Sequence, residues 1–279
     1  MQRISLSLIA LGLLYTTSSS ASTFQHQVAI NQVGVINDYG NGVASVNYDY
    51  FFSPVKDNKG PFRLAEFLAQ NSKLSVTALD IEELSRNQIY GRYVFENKWF
   101  ASLKRTNVHD FADVYGAEVG YYYDEYTKIT FAYDHENADR LYRLDSGDFR
   151  SDDTANNYRL SVERFLPFAG GSGLLLGAGL SYKDQRFKYS TPNSISRDSA
   201  NIKQVNISAE YFVNDSLSFL AQYNRFDVSG HPDGSDDSLL VGLNYWWQIN
   251  DNYSFTFSAM ESVTHGGDMS LNLGFTGRF

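Results

Sequence analysis

The sequence has no cysteine, which excludes a disulfide framework and any thiolate metal site. Basic residues nowhere gather into a cluster, and the formal charge is −9, so no face is offered to nucleic acid. Long apolar runs are also missing after the N-terminus. The one uncharged stretch, Phe165 to Tyr182, is broken by Pro167 and five glycines, which fits two strands and a turn but no spanning helix. Proline (5) and methionine (3) are scarce, whereas 20 Tyr, 20 Phe and 3 Trp raise the aromatic share to 15%. With Gly, Ser, Asn and Asp crowded into short clusters, this mixture favours an all-β protein with many turns.

Residues 1–21 stand apart from the rest. Met1-Gln2-Arg3, the apolar run Leu8 to Leu14 and the small residues Ser19-Ser20-Ala21 form the basic, hydrophobic and cleavage regions expected of an export signal. That run is too short to cross about 30 Å of hydrocarbon. The expected mature domain is therefore 22–279, a single barrel.

From Val43 onward the dominant period is two. Ala44, Val46, Tyr48, Tyr50 and Phe52 alternate with Ser45, Asn47 and Asp49, and the pattern recurs through Leu239, Val241, Leu243, Tyr245 and Trp247 to the C-terminus. Aromatics collect at strand ends and small aliphatics in the middle, the distribution a bilayer favours. The opposite face carries Arg92, Lys104, Glu118, Lys128, Asp134, Arg159, Glu163, Lys183, Glu210 and Arg278. So polar a face cannot be a dry core, because each unpaired buried polar group costs about 1–3 kcal/mol. These ten residues are the candidate pore lining.

Connections separate a barrel from a sandwich. Glu96–Lys98, Tyr123–Tyr126, Val213–Ser216 and Ile249–Asn252 are tight Asn/Asp turns. The alternate connections, Asp145–Asp153, Ser190–Ala200, Ser229–Asp237 and Thr264–Asp268, read as longer polar loops. The expected fold is an all-β transmembrane antiparallel up-and-down barrel with short periplasmic turns and longer extracellular loops. Fourteen strands are counted, with twelve as the alternative.

Residues 53–71 break the rule, since by parity this connection belongs with the short turns. Pro61 followed by Leu64-Ala65-Glu66-Phe67-Leu68 predicts one or two helical turns at the rim, either a plug over apolar surface or a gate.

Tyr50-Phe51-Phe52-Ser53-Pro54-Val55, then Gly60-Pro61 and Ala65-Glu66-Phe67-Leu68, resembles the general bacterial porin family of Gram-negative outer membranes. The terminal strand, with Leu271, Leu273, Phe275 and Phe279 at alternating places, is similar to the signal read by the barrel-assembly machinery. Gly277 departs from that pattern. The resemblance implies a water-filled outer-membrane channel for passive diffusion of small hydrophilic solutes and ions. Its partners would be outer-membrane lipid, lipopolysaccharide, the barrel-assembly machinery and small polar solutes, with a homo-oligomer open.

Other readings compete with the diffusion channel: a substrate-specific channel, a closed barrel acting as receptor, adhesin or structural protein, and an outer-membrane hydrolase. Five histidines occur, His26, His109, His135, His231 and His265, with acidic neighbours beside the last four. No Gly-x-Ser-x-Gly elbow accompanies them, and the expectation is no enzyme. Asp145, Asp148, Asp152 and Asp153 share one loop, and Asp233, Asp236 and Asp237 another, but neither has the spacing of a Ca²⁺ loop. No metal or cofactor is expected.

Overall fold

In the computed structural model the described residues are 23–35, 38–56, 60–81, 84–108, 112–144, 147–191, 194–230, 233–264 and 269–279. The expected export signal, His109, His231 and His265 lie outside them.

Fourteen antiparallel strands close into one barrel. They are β1 (Thr23–Val35), β2 (Asp38–Lys56), β3 (Lys73–Ile81), β4 (Leu84–Val94), β5 (Trp99–Val108), β6 (Ala112–Tyr122), β7 (Thr127–Leu144), β8 (Gly147–Pro167), β9 (Gly173–Thr191), β10 (Ser194–Phe212), β11 (Leu217–Gly230), β12 (Gly234–Gln248), β13 (Tyr253–Ser262) and β14 (Ser270–Arg278). Neighbours in sequence are neighbours in space, and β1 pairs with β14 to remove both free edges.

Alternation gives each strand two faces. Leu103, Ile89, Val119, Leu160, Leu180, Ile207 and Leu273 point outward and are exposed, the inverse of a soluble protein. Tyr93, Trp99, Tyr123, Tyr211, Tyr245 and Trp247 lie near the strand ends on the same outer face.

At one end the turns are tight because side chains replace backbone partners. Asn214 Oδ1 accepts from the Ser216 and Leu217 amides, both at 2.9 Å, and Asn250 Oδ1 does the same for Asn252 and Tyr253. Asp124 Oδ1 accepts from the Tyr126 amide at 2.8 Å.

The opposite end differs from expectation. Much of Asp145–Asp153, Ser190–Ala200 and Ser229–Asp237 is strand, and β7 to β10 run for 18, 21, 19 and 19 residues against 9 to 11 in β3 to β6. At about 3.4 Å per residue and about 40° of tilt, ten residues rise roughly 26 Å and nineteen roughly 50 Å. The long strands overshoot an apolar band of about 25 Å. Polar residues on both faces make such a segment look like a loop in sequence. Cross-strand pairs keep the ladder going instead: Arg150 binds Asp139, and Lys188 Nζ meets Asp152 at 3.0 Å.

The C-terminal residue completes the closure. The Phe279 carbonyl accepts from the Gln25 and His26 amides at 2.7 and 2.8 Å, and its own amide donates to His26 O at 2.8 Å. The Phe279 ring packs on Tyr253 at 5.7 Å and within reach of the space a Cβ at position 277 would take, so Gly277 leaves room for the terminal ring.

Candidate functional site

The interior of the barrel is the candidate site, and it has two levels. At the turn end, inward-facing Phe24, Phe51, Phe100, Phe165, Phe212 and Tyr122 are almost wholly buried. Between β2 and β3 the chain enters the lumen as a strap: a 3₁₀ turn at Phe62–Leu64 and a short helix, α1 (Ala65–Ala69). Gln70 ends the helix in the left-handed conformation (φ 53°), and its side-chain amide donates to Asp124 O at 2.8 Å.

The strap is fixed on all sides. Leu64 and Leu68, one helical turn apart, pack on Phe165 and Phe212, while Ala65 sits against Phe24, Phe51 and Val55. Glu66 accepts from Lys73 at 2.9 Å and Arg92 at 3.2 Å; Lys73 also reaches Asp49 at 3.3 Å, and Arg92 donates to Asn71 O at 3.0 Å. Two cations and two carboxylates thus close a neutral cluster between strap and wall. Burial pushes the Glu66 carboxyl up, but Lys73 and Arg92 outweigh it and hold the group below the ordinary glutamate range. Across the lumen Arg63 binds Glu210, which also accepts from Ser218 (2.6 Å) and Asn244 (3.1 Å). Arg278 donates to Phe62 O at 3.1 Å and to Gln27 at 2.9 Å, and its guanidinium lies 4.5 and 4.8 Å from the Phe24 and Trp246 rings. The Phe62 amide donates to Asp215 O at 3.1 Å.

Above this floor the wall is polar. Lys104 meets Asp134 at 2.8 Å, and Asp134 also takes Arg159 at 3.3 Å. Lys183 meets Glu136 at 3.2 Å. Lower down, level with Tyr122, Lys128 meets Glu163 at 2.5 Å and lies 5.5 Å from the Phe67 ring of the strap. Glu118 accepts from Ser102 at 2.8 Å and Tyr90 at 3.3 Å. Lys104 on β5 reaches Asp134 on β7 by passing over Gly116 of β6, where a Cβ would lie 2.3 Å from Asp134 Oδ1. Strands β10 to β14 line the lumen with Asn206, Gln222, Asn224, Asn244, Thr256 and Asn272. A cavity of about 280 Å³ lies on that side, bounded by Arg63, Ser218, Asn244, Thr256 and Asn272.

All ten predicted lining residues point inward, and Arg92, Lys128, Glu210 and Arg278 contact the strap or its anchors rather than open water. Sequence reasoning missed Arg63, Glu66 and Lys73 as partners of the wall, and missed the inward aromatics altogether. The one signal for the latter was that Phe51, Phe100, Tyr122, Phe165 and Phe212 fall on the polar parity at strand ends; Phe24 falls on the apolar parity and is turned inward by the register shift between Phe24 and His26.

The histidines in view are not brought together. His26 Nδ1 lies 2.8 Å from Tyr48 Oη and His135 Nδ1 3.0 Å from Asn156 Oδ1, at opposite ends of the wall. Asp152 pairs with Arg150 and Lys188, and Asp233 accepts from the Gly230 amide at 2.6 Å. Among the described residues no group of three His, Asp or Glu could hold a metal ion.

No protein-family model and no curated protein matches the chain. Solved structures do match its fold. Outer membrane protein Omp33 of Acinetobacter baumannii is 17% identical, with 92% of this chain and 99% of that one covered at a TM-score of 0.58. A loop L8 deletion mutant of OmpT, an outer membrane protein of Vibrio cholerae, is 9% identical, with 91% and 97% covered at 0.50. The fold is therefore that of outer-membrane β-barrels.

Proposed function

We propose that the chain is an outer-membrane porin, a water-filled channel for passive diffusion of small hydrophilic solutes and ions. The observation that carries this reading is the interior above the strap: charged and amide side chains line it from wall to wall, and Arg159, Lys183 and Glu136 are partly exposed there, as a space that water enters requires. The belt of exposed aliphatic side chains outside supports placement in a bilayer, with the tight turns and both termini on the periplasmic side and the long strands outside. Export by residues 1–21 belongs to the same reading, as does the resemblance to general bacterial porins.

The strap favours a second reading, a closed barrel with a receptor or structural role, because it is anchored around the lumen. Single-channel conductance of the refolded protein in a planar bilayer separates the two. Discrete open steps with weak ion selectivity are expected of the porin. Silence from a folded, heat-modifiable barrel that persists when the strap is replaced by a flexible linker would leave the closed barrel.

A further inference from the structure

A second built feature lies outside the lumen, on the outward face of the elongated strands β8, β9 and β10. Tyr133, Tyr158 and Tyr182 are successive register partners across β7 to β9. They mark the upper limit of the apolar belt, with exposed Leu160 and Leu180 directly below. Continuing along the same outward parity, β8 presents Asp152 and Arg150, β9 presents Asp184, Arg186 and Lys188, and β10 presents Arg197. Lys203 stands beside Tyr182 in the girdle row itself.

In a chain of net charge −9 this face is locally basic. Arg150, Arg186 and Lys188 have side chains 56%, 71% and 44% exposed, and their partners are the outward carboxylates Asp139, Asp152 and Asp184. Exposed pairs of this kind are weak and exchange readily for a better anion. Arg197 has no carboxylate partner among the described residues, and Lys203 faces Asp227, a carboxylate that Arg225 already holds at 3.4 Å. Arg186, Lys188 and Arg197 line a depression of about 610 Å³ together with Asp152 and Asp198.

Height selects the partner. Arg186 stands four residues and Lys188 six residues beyond Tyr182, roughly 10 and 16 Å above the girdle at about 3.4 Å per residue and about 40° of tilt. A glycerophospholipid carries its phosphate at the girdle level, where only Lys203 waits. Anions at the upper rows need a headgroup several sugar rings tall.

We propose that this face binds the phosphorylated saccharide headgroup of an outer-leaflet glycolipid. Arg186, Lys188 and Arg197 take its phosphates, and its acyl chains lie against Leu180, Tyr182 and Val205. The proposal rests on the outward placement of the long strands argued above, and it is independent of whether the lumen conducts. An elongated ladder at this place has a use that a flexible loop lacks, because its register holds the three cations on one face of two neighbouring strands.

The test is native mass spectrometry of the refolded protein incubated with purified rough lipopolysaccharide, its dephosphorylated form, or the intact lipid with inorganic phosphate as competitor. The variant is Arg186→Glu/Lys188→Glu/Arg197→Glu, with Arg105→Glu on the far wall as control and heat-modifiable migration as the check on folding. At about 1 kcal/mol per surface cation, the triple variant loses on the order of a hundredfold in retention. Dephosphorylated lipid is retained as poorly, the control binds as wild type, and inorganic phosphate at equal concentration does not compete. Equal retention by the folded triple variant, or of the dephosphorylated lipid, overturns the proposal. Effective competition by inorganic phosphate also overturns it, in favour of a free-anion site. Should the triple variant misfold, Arg197→Glu alone is read in its place, with the same direction expected. A wild-type barrel that stays silent in a planar bilayer yet retains the glycolipid fails the channel reading and not this one; a conducting barrel that retains none fails only this one.

Discussion

The two levels of the interior solve the same problem in opposite ways. At the turn end six inward aromatic residues and a short helix exclude water, as in a soluble core. Above, charges are left wet and neutralised pairwise by neighbours one or two strands away. The difference teaches that strand parity fixes which way a side chain points but not what it meets there. A barrel of about fourteen strands lies between side-chain-filled and open barrels, and here the strap makes the lower level resemble the first and leaves the upper level like the second.

Breaking the floor gives the largest effect. Replacing residues 60–71 by a glycine-serine linker removes the helix and its anchors, and single-channel conductance is expected to rise several-fold; an unchanged conductance would show that the constriction lies elsewhere. Next comes Phe212→Ala, which opens a void beneath Leu64 and Leu68. It is expected to cost about 3–5 kcal/mol in urea unfolding followed by tryptophan fluorescence, against less than about 1 kcal/mol for the partly exposed Gln222→Ala in the wet level.

Acid sharpens the contrast more gently. The folded-state pKa of Glu66 is depressed, so its contribution is complete above the ordinary glutamate value of 4.5 and is lost as pH falls through the depressed value. Conductance is expected to rise on acidification below 4.5 and to be flat there in Glu66→Gln, whose strap is already loosened. The smallest effect belongs to Gly116→Ala, which pushes Lys104 away from Asp134 without touching the strap. Reversal potential under a salt gradient should shift by a few millivolts, with stability changed by about 1 kcal/mol or less.

Much of the barrel is legible in the sequence because one rule, alternation, repeats in every strand. Strand number, inward parity of the ten charged candidates and the tight Asn/Asp turns all follow from it. The elongated ends of β7 to β10 do not, since a strand that is polar on both faces carries no alternation to read. The strap is recognisable as a misplaced long connection with a helical signal. Its contacts are not, because Glu66 pairs with Arg92 26 residues away and Arg63 with Glu210 147 residues away, and only closure of the sheet brings such groups together. Gly277 looks like a defect in the terminal pattern until the Phe279 ring is seen beside it.

The strap's seat is assembled from chain that emerges long after the strap itself. Its apolar cradle waits for Phe165 and Phe212, its ionic partner for Glu210, and its last tether, the Arg278 guanidinium on Phe62 O, for the penultimate residue. The strap therefore has its full set of anchors only once β14 is in place. A protease that cuts the strap only while it is loose would serve as a clock for its seating, measured against closure of the wall.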